Sequence, residues 1–549
     1  ERLYQEFVVQ KRKAAEEFAE FELVEPVLAR REEAGRMGEE VLGASKGHIE
    51  YAGLVGAGGT GSGLKFADEE GNPLPKGEFP ATPVSGKSLY LSLIEKMRAA
   101  ARSFGHKNMY PLIFMISNKT DVETMRFIQA LAIWPEVRTR VMFVMQKHLP
   151  ALLRAPGSAE DGRAVLEAKD RLNLGGAGHG DAIDYVLNPD EHVAGQVWSE
   201  ETNDFVNTEV VGWLEGLGVK YVQYMNVDNL LVPVADKYFV GEHVLSRDEE
   251  FEKRTRRAHI SLALIRKTQP AEVKDPKTGA MVKTFKDRLG NVILVNGFKE
   301  SVDYGDATLQ INASPYGDPS MRLITIRSIP GSTPIDFSLA EKTDKNEDGE
   351  EVKIYKFERS SGSKKRYGIE MGYEGDDVFA SIKKRDQDAK AETPATSKAL
   401  QSLHWWKRLE AAKMCWKPSE EVLLELPWDA DYISDEELKR RMAELKIPDA
   451  PREHARILVS DDWGHLEFSF GDHAPVRLPM RGRLKVTGFR AQDPQAFDAR
   501  WGLSLGWHPA FFNYELAFFS GEENENNANR IHLSISDRGI VCYVCMRGI

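Results

Sequence analysis

Three stretches separate on the pattern of apolar and polar positions along the chain. In residues 1–50, Leu3, Phe7, Ala14, Phe18 and Phe21 mark one face while Glu, Lys and Arg fill the rest. That spacing predicts amphipathic helices, an arm packed on a neighbouring domain or subunit. From residue 51 to about 330, short apolar runs alternate with helical periodicity, the pattern of an α/β sheet. Strands are predicted at residues 51–55, 110–116, 141–145 and 219–225, and helices at 89–101 and 122–131. Residues 275–291 read as a hairpin tip, 341–365 as a solvated, charged hairpin or insertion, and 386–397 as a loop. After residue 416, a helix at 435–446 leads to strands at 456–460, 465–470 and 483–489. Trp501, Trp507, Phe511, Phe512, Phe518 and Phe519 then make the end aromatic-rich. The expected architecture is a Rossmann-like α/β core with a mixed sheet (51–415), an N-terminal helical arm (1–50) and a C-terminal all-β accessory domain (416–549).

The first strand of the α/β stretch runs into Gly56-Ala57-Gly58-Gly59-Thr60-Gly61-Ser62-Gly63. A strand followed by a glycine-rich turn lets backbone N–H groups approach phosphates closely. Lys76 and Lys87 offer point charges to the same groups. Several readings compete. Gly56-x-Gly58-x-x-Gly61 matches a dinucleotide fingerprint, but Pro73, Pro75, Pro80 and Pro83 occupy the space where its helix and second strand belong. Residues 81–88 resemble a P-loop, yet Pro80 and Pro83 oppose the buried strand that must precede one. Residues 57–63 also resemble the tubulin signature, which several strand–helix units precede in tubulins. An ordinary glycine-rich turn is the plain alternative.

Another resemblance spans the whole stretch and continues beyond it. The stretch is similar to the signature of the UDP-sugar pyrophosphorylase family, Leu-x-Gly-Gly-x-Gly-Thr-(Arg or Ser)-(Leu or Met)-Gly. Gly56 and Ala57 take the place of the Gly-Gly pair, Gly59 and Thr60 match, and Gly63 closes the motif. Pro75-Lys76-Gly77 and Lys87-Ser88-Leu89 fall where the family has Pro-Lys-Gly and Lys-Thr-Leu. Ser117 and Thr120 match a Ser-x-x-Thr. Gln146-Lys147-His148-Leu149-Pro150 resembles Gln-Gly-Met-Leu-Pro, and Gly178-His179-Gly180-Asp181 resembles the Gly-His-Gly-Asp of the glucose-1-phosphate enzymes. Val227-Asp228-Asn229 matches Val-Asp-Asn, with Val234-Ala235-Asp236 after it. Arg266-Lys267-Thr268 resembles Glu-Lys-Thr, and residues 379–384 and 393–405 resemble the closing segments. Three positions depart: Ala57 replaces a Gly, Gly61 stands where N-acetylhexosamine enzymes carry Arg, and Gly297 takes the place of a sugar-binding Glu.

The resemblance implies a nucleotidyltransferase that converts UTP and a sugar 1-phosphate into UDP-sugar and pyrophosphate. It implies nucleotide contacts from Gly56, Ala57, Gly58, Gly59, Thr60, Gln146, Gly178 and His179. An amide such as that of Gln146 donates and accepts at once, as a uracil edge requires. Lys76 and Lys383 would neutralise phosphate charge, and Asn229, Glu300 and Asn312 would face the sugar. Asp228 would hold Mg²⁺, since a hard carboxylate oxygen at a strand's C-terminal end suits a cation that keeps water and substrate phosphates as its other ligands.

Composition adjusts this reading little. A chain of 549 residues exceeds one core, and its formal net charge of −12 disfavours a nucleic-acid binder. Mean hydropathy is −0.42, and no apolar run reaches the roughly 18 residues of a membrane span. Three cysteines, Cys415, Cys542 and Cys545, make no disulfide framework, which favours a reducing, cytoplasmic setting. Cys542 and Cys545 lack the second pair that a zinc site needs and read as core. No signal peptide is visible, although the chain begins at Glu1 and its natural start is left open. The helical arm or the β domain is where copies of the chain could pair. The rival from another class is a non-catalytic nucleotide-sugar-binding relative with a regulatory or scaffold role.

Overall fold

The computed structural model describes residues 31–44, 47–155, 158, 161–178, 180–247, 249–255, 258–266, 269–274, 281–286, 292–293, 316–317, 320–332, 337–359, 367–374, 378–389, 392–413, 423–444, 455–459, 465–470, 476–479, 484–486, 512–518, 529–536 and 539–545. The apolar arm positions from Leu3 to Phe21, the aromatic run Trp501, Trp507, Phe511 and Phe519, and residues 275–280 and 287–291 of the expected hairpin tip lie outside them. The chain divides into two compact units, one of residues Glu1–Pro80 and Lys87–Thr396, the other of Ala81–Gly86 and Ser397–Ile549.

The first unit is built on a ten-stranded mixed sheet. Its strands are β1 (Tyr51–Gly56), β2 (Leu112–Ile116), β3 (Val141–Met145), β4 (Ala194–Ser199), β5 (Asp204–Glu209), β6 (Tyr221–Asn226), β7 (Ile260–Arg266), β8 (Tyr316–Gly317), β9 (Arg322–Thr325) and β10 (Tyr367–Glu374). Their order is β5-β4-β3-β2-β1-β6-β9-β7-β8, with β10 also paired to β7. The central strands β3, β2, β1 and β6 are parallel, and Gly56 is opposite both Met115 and Asn226. Their carboxyl ends therefore finish level. Tyr51, Ala52, Leu54 and Val55 are all fully buried, as a central strand covered on both faces requires. The amphipathic helix Leu89–Ser103 begins at Ser88, whose hydroxyl accepts the Leu91 N–H and so caps it. Predicted and observed strand and helix bounds coincide at residues 141–145 and 465–470 and otherwise differ by up to three residues at an end.

The described part of the arm is the helix Arg31–Leu42, packed on the helix Lys237–Leu245. Glycines permit the contact: a Cβ on Gly38 would stand 1.8 Å from the Lys237 carbonyl oxygen, and one on Gly241 1.7 Å from that of Ala34. The charged hairpin forms as expected from strands Phe337–Lys345 and Glu351–Arg359. In the second unit the described strands form two four-stranded sheets, alongside the helix Asp435–Glu444. The Glu425 carboxylate accepts the N–H groups of Val84 and Ser85 at 2.8 Å each, which holds residues 81–86 in that unit. Cys542 and Cys545 both lie in the strand Gly539–Cys545. No described helix is long and apolar enough to cross a membrane.

Beneath the sheet, His243 and His259 stack at 4.0 Å between ring centroids, both fully buried. Hydroxyls of Ser261 and Thr325 bond His243, and the Thr325 hydroxyl lies 3.0 Å from His259 Nδ1. Burial holds His243 well below the ordinary imidazole range and pushes His259 down to about 3. Both rings stay neutral in the folded chain at pH values where the unfolded chain binds protons. Stability is then full above the unfolded value and lost as pH falls through the window below about 6.5. Two such groups remove about 2–3 kcal/mol between roughly pH 7.5 and 5.5. Denaturant unfolding at the two pH values measures the loss, and replacing both rings by Gln should flatten it.

Candidate active site

The carboxyl ends of β1, β2, β3 and β6 carry the candidate residues. After β1, the Ala57 N–H donates to the Met115 carbonyl at 2.8 Å and the Ala57 methyl is buried. The amide expected to contact nucleotide at Ala57 thus ties the loop to the sheet instead. Gly56 is needed for a different reason than phosphate approach, because a Cβ there would stand 2.4 Å from the Tyr224 hydroxyl. Further on, the Gly61 N–H donates to the Leu74 carbonyl and the Lys76 N–H to that of Gly59, folding residues 74–76 back along the loop. Among the described residues nothing engages the amides of Gly58, Gly59 and Thr60, which leaves three donors for an anion. Gly61 has no space for a side chain, since a Cβ would meet Phe66 Cβ at 2.8 Å.

The returning segment delivers Lys76. Pro75 leads into a single 3₁₀ turn, Lys76–Glu78, and Gly77 fits under the Tyr90 ring, where a Cβ would come within 2.0 Å. Lys76 Nζ donates to Asp228 Oδ2 at 2.9 Å. Asp228 lies two residues past β6 and is buried to 7% exposure. In the same turn as Lys76, the Glu78 carboxyl has its pKa pushed up to about 7 by burial and the neighbouring Glu123.

Asn229 supports Asp228 rather than a ligand. Its Oδ1 accepts the N–H groups of Leu231 and Ala380, and its Nδ2 donates to the Val378 carbonyl at 2.9 Å. At 1% exposure the side chain is committed to the backbone, which corrects its assignment to the sugar. The Ile382 N–H donates to the Asp228 carbonyl, so the segment carrying Lys383 is fastened beside Asp228. A Cβ on Gly63 would stand 2.7 Å from the Lys383 carbonyl oxygen, placing that segment against the glycine loop as well. Lys383 Nζ itself donates to Glu392 at 2.7 Å. Lys87, expected near the phosphates, donates to both oxygens of Glu95 on the helix that follows it.

A second cluster follows β2 and β3. Ser117 and Thr120 bond each other in the turn after β2, and the Asn118 N–H donates to His148 Nε2. Burial lowers the His148 pKa, in keeping with a neutral acceptor nitrogen. The Gln146 amide lies between two glycines: a Cβ on Gly58 would stand 2.7 Å, and one on Gly176 2.4 Å, from its Nε2. Residues 148–150 pair with 174–176, which brings the second glycine-rich loop over Gln146. Gly178 takes φ +86° with Arg359's carbonyl oxygen 2.6 Å from where a Cβ would be, so only Gly fits. His179, Glu300 and Asn312 lie outside the described residues.

The structure thus brings together Gly58, Gly59, Thr60, Lys76, Asp228, Gln146 and Gly178, with the backbone of Lys383 alongside. Sequence reasoning missed Tyr224 and Tyr90, which shape the glycine positions, and Arg359, which binds the second loop. No group of three His, Cys, Asp or Glu side chains suited to a metal occurs among the described residues. A cation at Asp228 would then take one carboxylate from the protein, with water and phosphate oxygens as its remaining ligands, which Mg²⁺ accepts.

Comparisons with known proteins bear on the fold and the family resemblance. No family model matches the chain. UDP-N-acetylhexosamine pyrophosphorylase-like protein 1 of Xenopus tropicalis is 29% identical over 192 residues, 34% of this chain and 32% of the relative. The protein of that name from Mus musculus is 28% identical over 196 residues, 35% of this chain and 32% of its own. The chain spans about a third of the length of these curated relatives. Among solved structures, the uridine diphosphate N-acetylglucosamine pyrophosphorylase of Trypanosoma brucei superposes with a TM-score of 0.52 and 23% identity, covering 79% of this chain and 82% of that one. The chain therefore has a mixed α/β fold shared with that pyrophosphorylase. The chain resembles the UDP-sugar pyrophosphorylase family in sequence as well as in fold.

A pair of substitutions checks the Gln146 seat. Gly58→Ala drives a methyl into the far end of a flexible side chain, so the fold should survive while the amide moves. Gly216→Ala, at the end of the helix Val210–Gly216, meets no atom within 4 Å and serves as control. Titration with UTP should show affinity reduced on the order of 10-fold for Gly58→Ala and unchanged for Gly216→Ala.

Proposed function

We propose that the chain is a uridylyltransferase that converts UTP and a sugar 1-phosphate into UDP-sugar and pyrophosphate. The observation that carries this reading is the contact of Lys76 with Asp228 at 2.9 Å, beside unengaged glycine-loop amides and a Gln amide held between two glycines. In the proposed reaction an oxygen of the sugar phosphate attacks the α-phosphorus of UTP in line. The new P–O bond forms as the bond to the β-phosphate breaks, and pyrophosphate leaves. No protein nucleophile is required, and catalysis rests on positioning and charge neutralisation.

Each residue has a part in that scheme. The amides of Gly58, Gly59 and Thr60 take phosphate oxygens, and Gln146 pairs with the uracil edge. Lys76 exchanges the Asp228 carboxylate for a phosphate oxygen as the triphosphate enters, and Lys383 leaves Glu392 in the same way. Asp228, once released, would hold Mg²⁺, which when bound supplies charge neutralisation of the phosphates. A separate observation favours a second reading, a nucleotide-sugar-binding protein without turnover. Gly61 is sealed against Phe66, so this site has no counterpart of the Arg of N-acetylhexosamine enzymes.

Pyrophosphate release from UTP, Mg²⁺ and a panel of sugar 1-phosphates separates the two, since turnover with any sugar excludes the second. Asp228→Asn keeps the side chain's size but not its charge. It should fold, keep most of its UTP affinity without Mg²⁺, and lose about 10²–10³ in turnover. Asp236→Asn serves as control, because Asp236 caps the helix Lys237–Leu245 through the Tyr238 and Phe239 amides. Full turnover by Asp228→Asn at limiting Mg²⁺ would contradict the metal assignment.

A further inference from the structure

The loop over Gln146 is held from below by a cluster that none of the motifs describes. Asp181 is fully buried, and its Oδ2 accepts the N–H of Lys147, the residue after Gln146, at 2.8 Å. The Ala177 N–H donates to the Lys147 carbonyl at 2.9 Å. Arg359, the last residue of the strand Glu351–Arg359, closes the other side. Its N–H donates to the Ala177 carbonyl at 2.6 Å and its carbonyl accepts the Gly180 N–H at 2.8 Å. Its guanidinium Nη1 lies 3.6 Å from Asp181 Oδ1, and its Nε 3.8 Å from Asp184 Oδ2.

Three features make this more than ordinary loop packing. Asp181 Oδ1 is buried with no hydrogen bond, so the Lys147 N–H on Oδ2 and then the Arg359 charge are what offset the burial of the carboxylate. Burying a carboxylate without such compensation is costly. Directly after Asp181, residues Ala182–Val186 form a π-helical turn, an irregularity that concentrates at functional sites. Finally, the backbone bonds of Arg359 flank Gly178, the one residue of the loop whose φ and whose contact with Arg359 both demand glycine. Charge and backbone of one residue together hold Ala177, Gly178, Gly180 and Asp181, and the neighbouring Gly176 packs on the Gln146 amide.

Building on the proposed uridylyltransferase reading, we propose that Arg359 and Asp181 are positioning residues that set base selectivity by clamping the second glycine loop onto Gln146. Neither touches the nucleotide. Arg359 anchors the loop, Asp181 joins it to Lys147, and the Gln146 amide is thereby presented in one orientation. Without the clamp the loop lifts and the amide turns freely. Phosphate binding at Gly58, Gly59, Thr60 and Lys76 is left intact, so the triphosphate still binds while the identity of the base stops mattering.

The test is the affinity of the full chain for UTP and for ATP, measured by calorimetry on wild type, Arg359→Ala, Arg359→Lys and Asp181→Asn, each checked for folding by circular dichroism. Wild type should prefer UTP. In Arg359→Ala the UTP affinity should fall on the order of 10- to 100-fold, the scale of a misplaced supporting contact, with ATP affinity unchanged, so the ratio collapses. Arg359→Lys keeps the charge and should restore part of the preference, an outcome that mere destabilisation would not give. Asp181→Asn keeps an acceptor for Lys147 and should lower the ratio less than Arg359→Ala; it stands in if that variant does not fold. An unchanged UTP-to-ATP ratio in folded Arg359→Ala or Asp181→Asn overturns the clamp while leaving the uridylyltransferase reading intact. Failure of wild type to bind UTP at all overturns that reading, and the clamp with it.

Discussion

The contact between Lys76 and Asp228 is the constraint on which the site depends. A partly buried ion pair is weak evidence for stability, because desolvating both charges offsets much of their attraction. Its placement is better explained by what surrounds it. The pair sits at the carboxyl edge of parallel strands, where open α/β sheets bind ligands. It keeps a cation and an anion mutually neutralised beside amides that await an anion. A triphosphate and a cation could each take one partner, so the charges are already in place when substrate arrives, and little reorganisation is required of the protein.

Much of the surrounding structure serves to hold that pair. Gly77 lets the Tyr90 ring press on the turn that carries Lys76, and Gly56 makes room for Tyr224 below the loop. Asn229 and the Ile382 amide brace the Asp228 turn against the segment that carries Lys383. These glycines are required by side chains packed against them. At the Gly58, Gly59 and Thr60 turn nothing among the described residues engages the amides, so the glycine-rich run keeps donors open there.

Where the sequence was informative, the reason is periodicity or position. Strand β3 and its neighbours are continuous apolar runs, which a buried parallel sheet demands, and Asp228 stood out as an acid at a strand end. Gln146 was singled out by the resemblance of residues 146–150 to Gln-Gly-Met-Leu-Pro. Asn229 was misassigned because it shares a motif with Asp228, and a sequence does not reveal that an amide is consumed by backbone groups. Lys87 was drawn to the phosphates by its motif, whereas an ion pair with Glu95 holds it. Arg359 was invisible for a different reason: it ends a charged hairpin that reads as solvated surface, and nothing in the sequence links it to Asp181. Contacts across such separations are fixed by tertiary packing alone.

A crystal structure of the chain with UTP tests the central claim most directly. The account predicts the uracil edge on the Gln146 amide, the triphosphate on the amides of Gly58, Gly59 and Thr60, and Lys76 Nζ moved from Asp228 to a phosphate oxygen. A nucleotide bound elsewhere, or a Lys76–Asp228 pair left intact with phosphates out of reach, would contradict it.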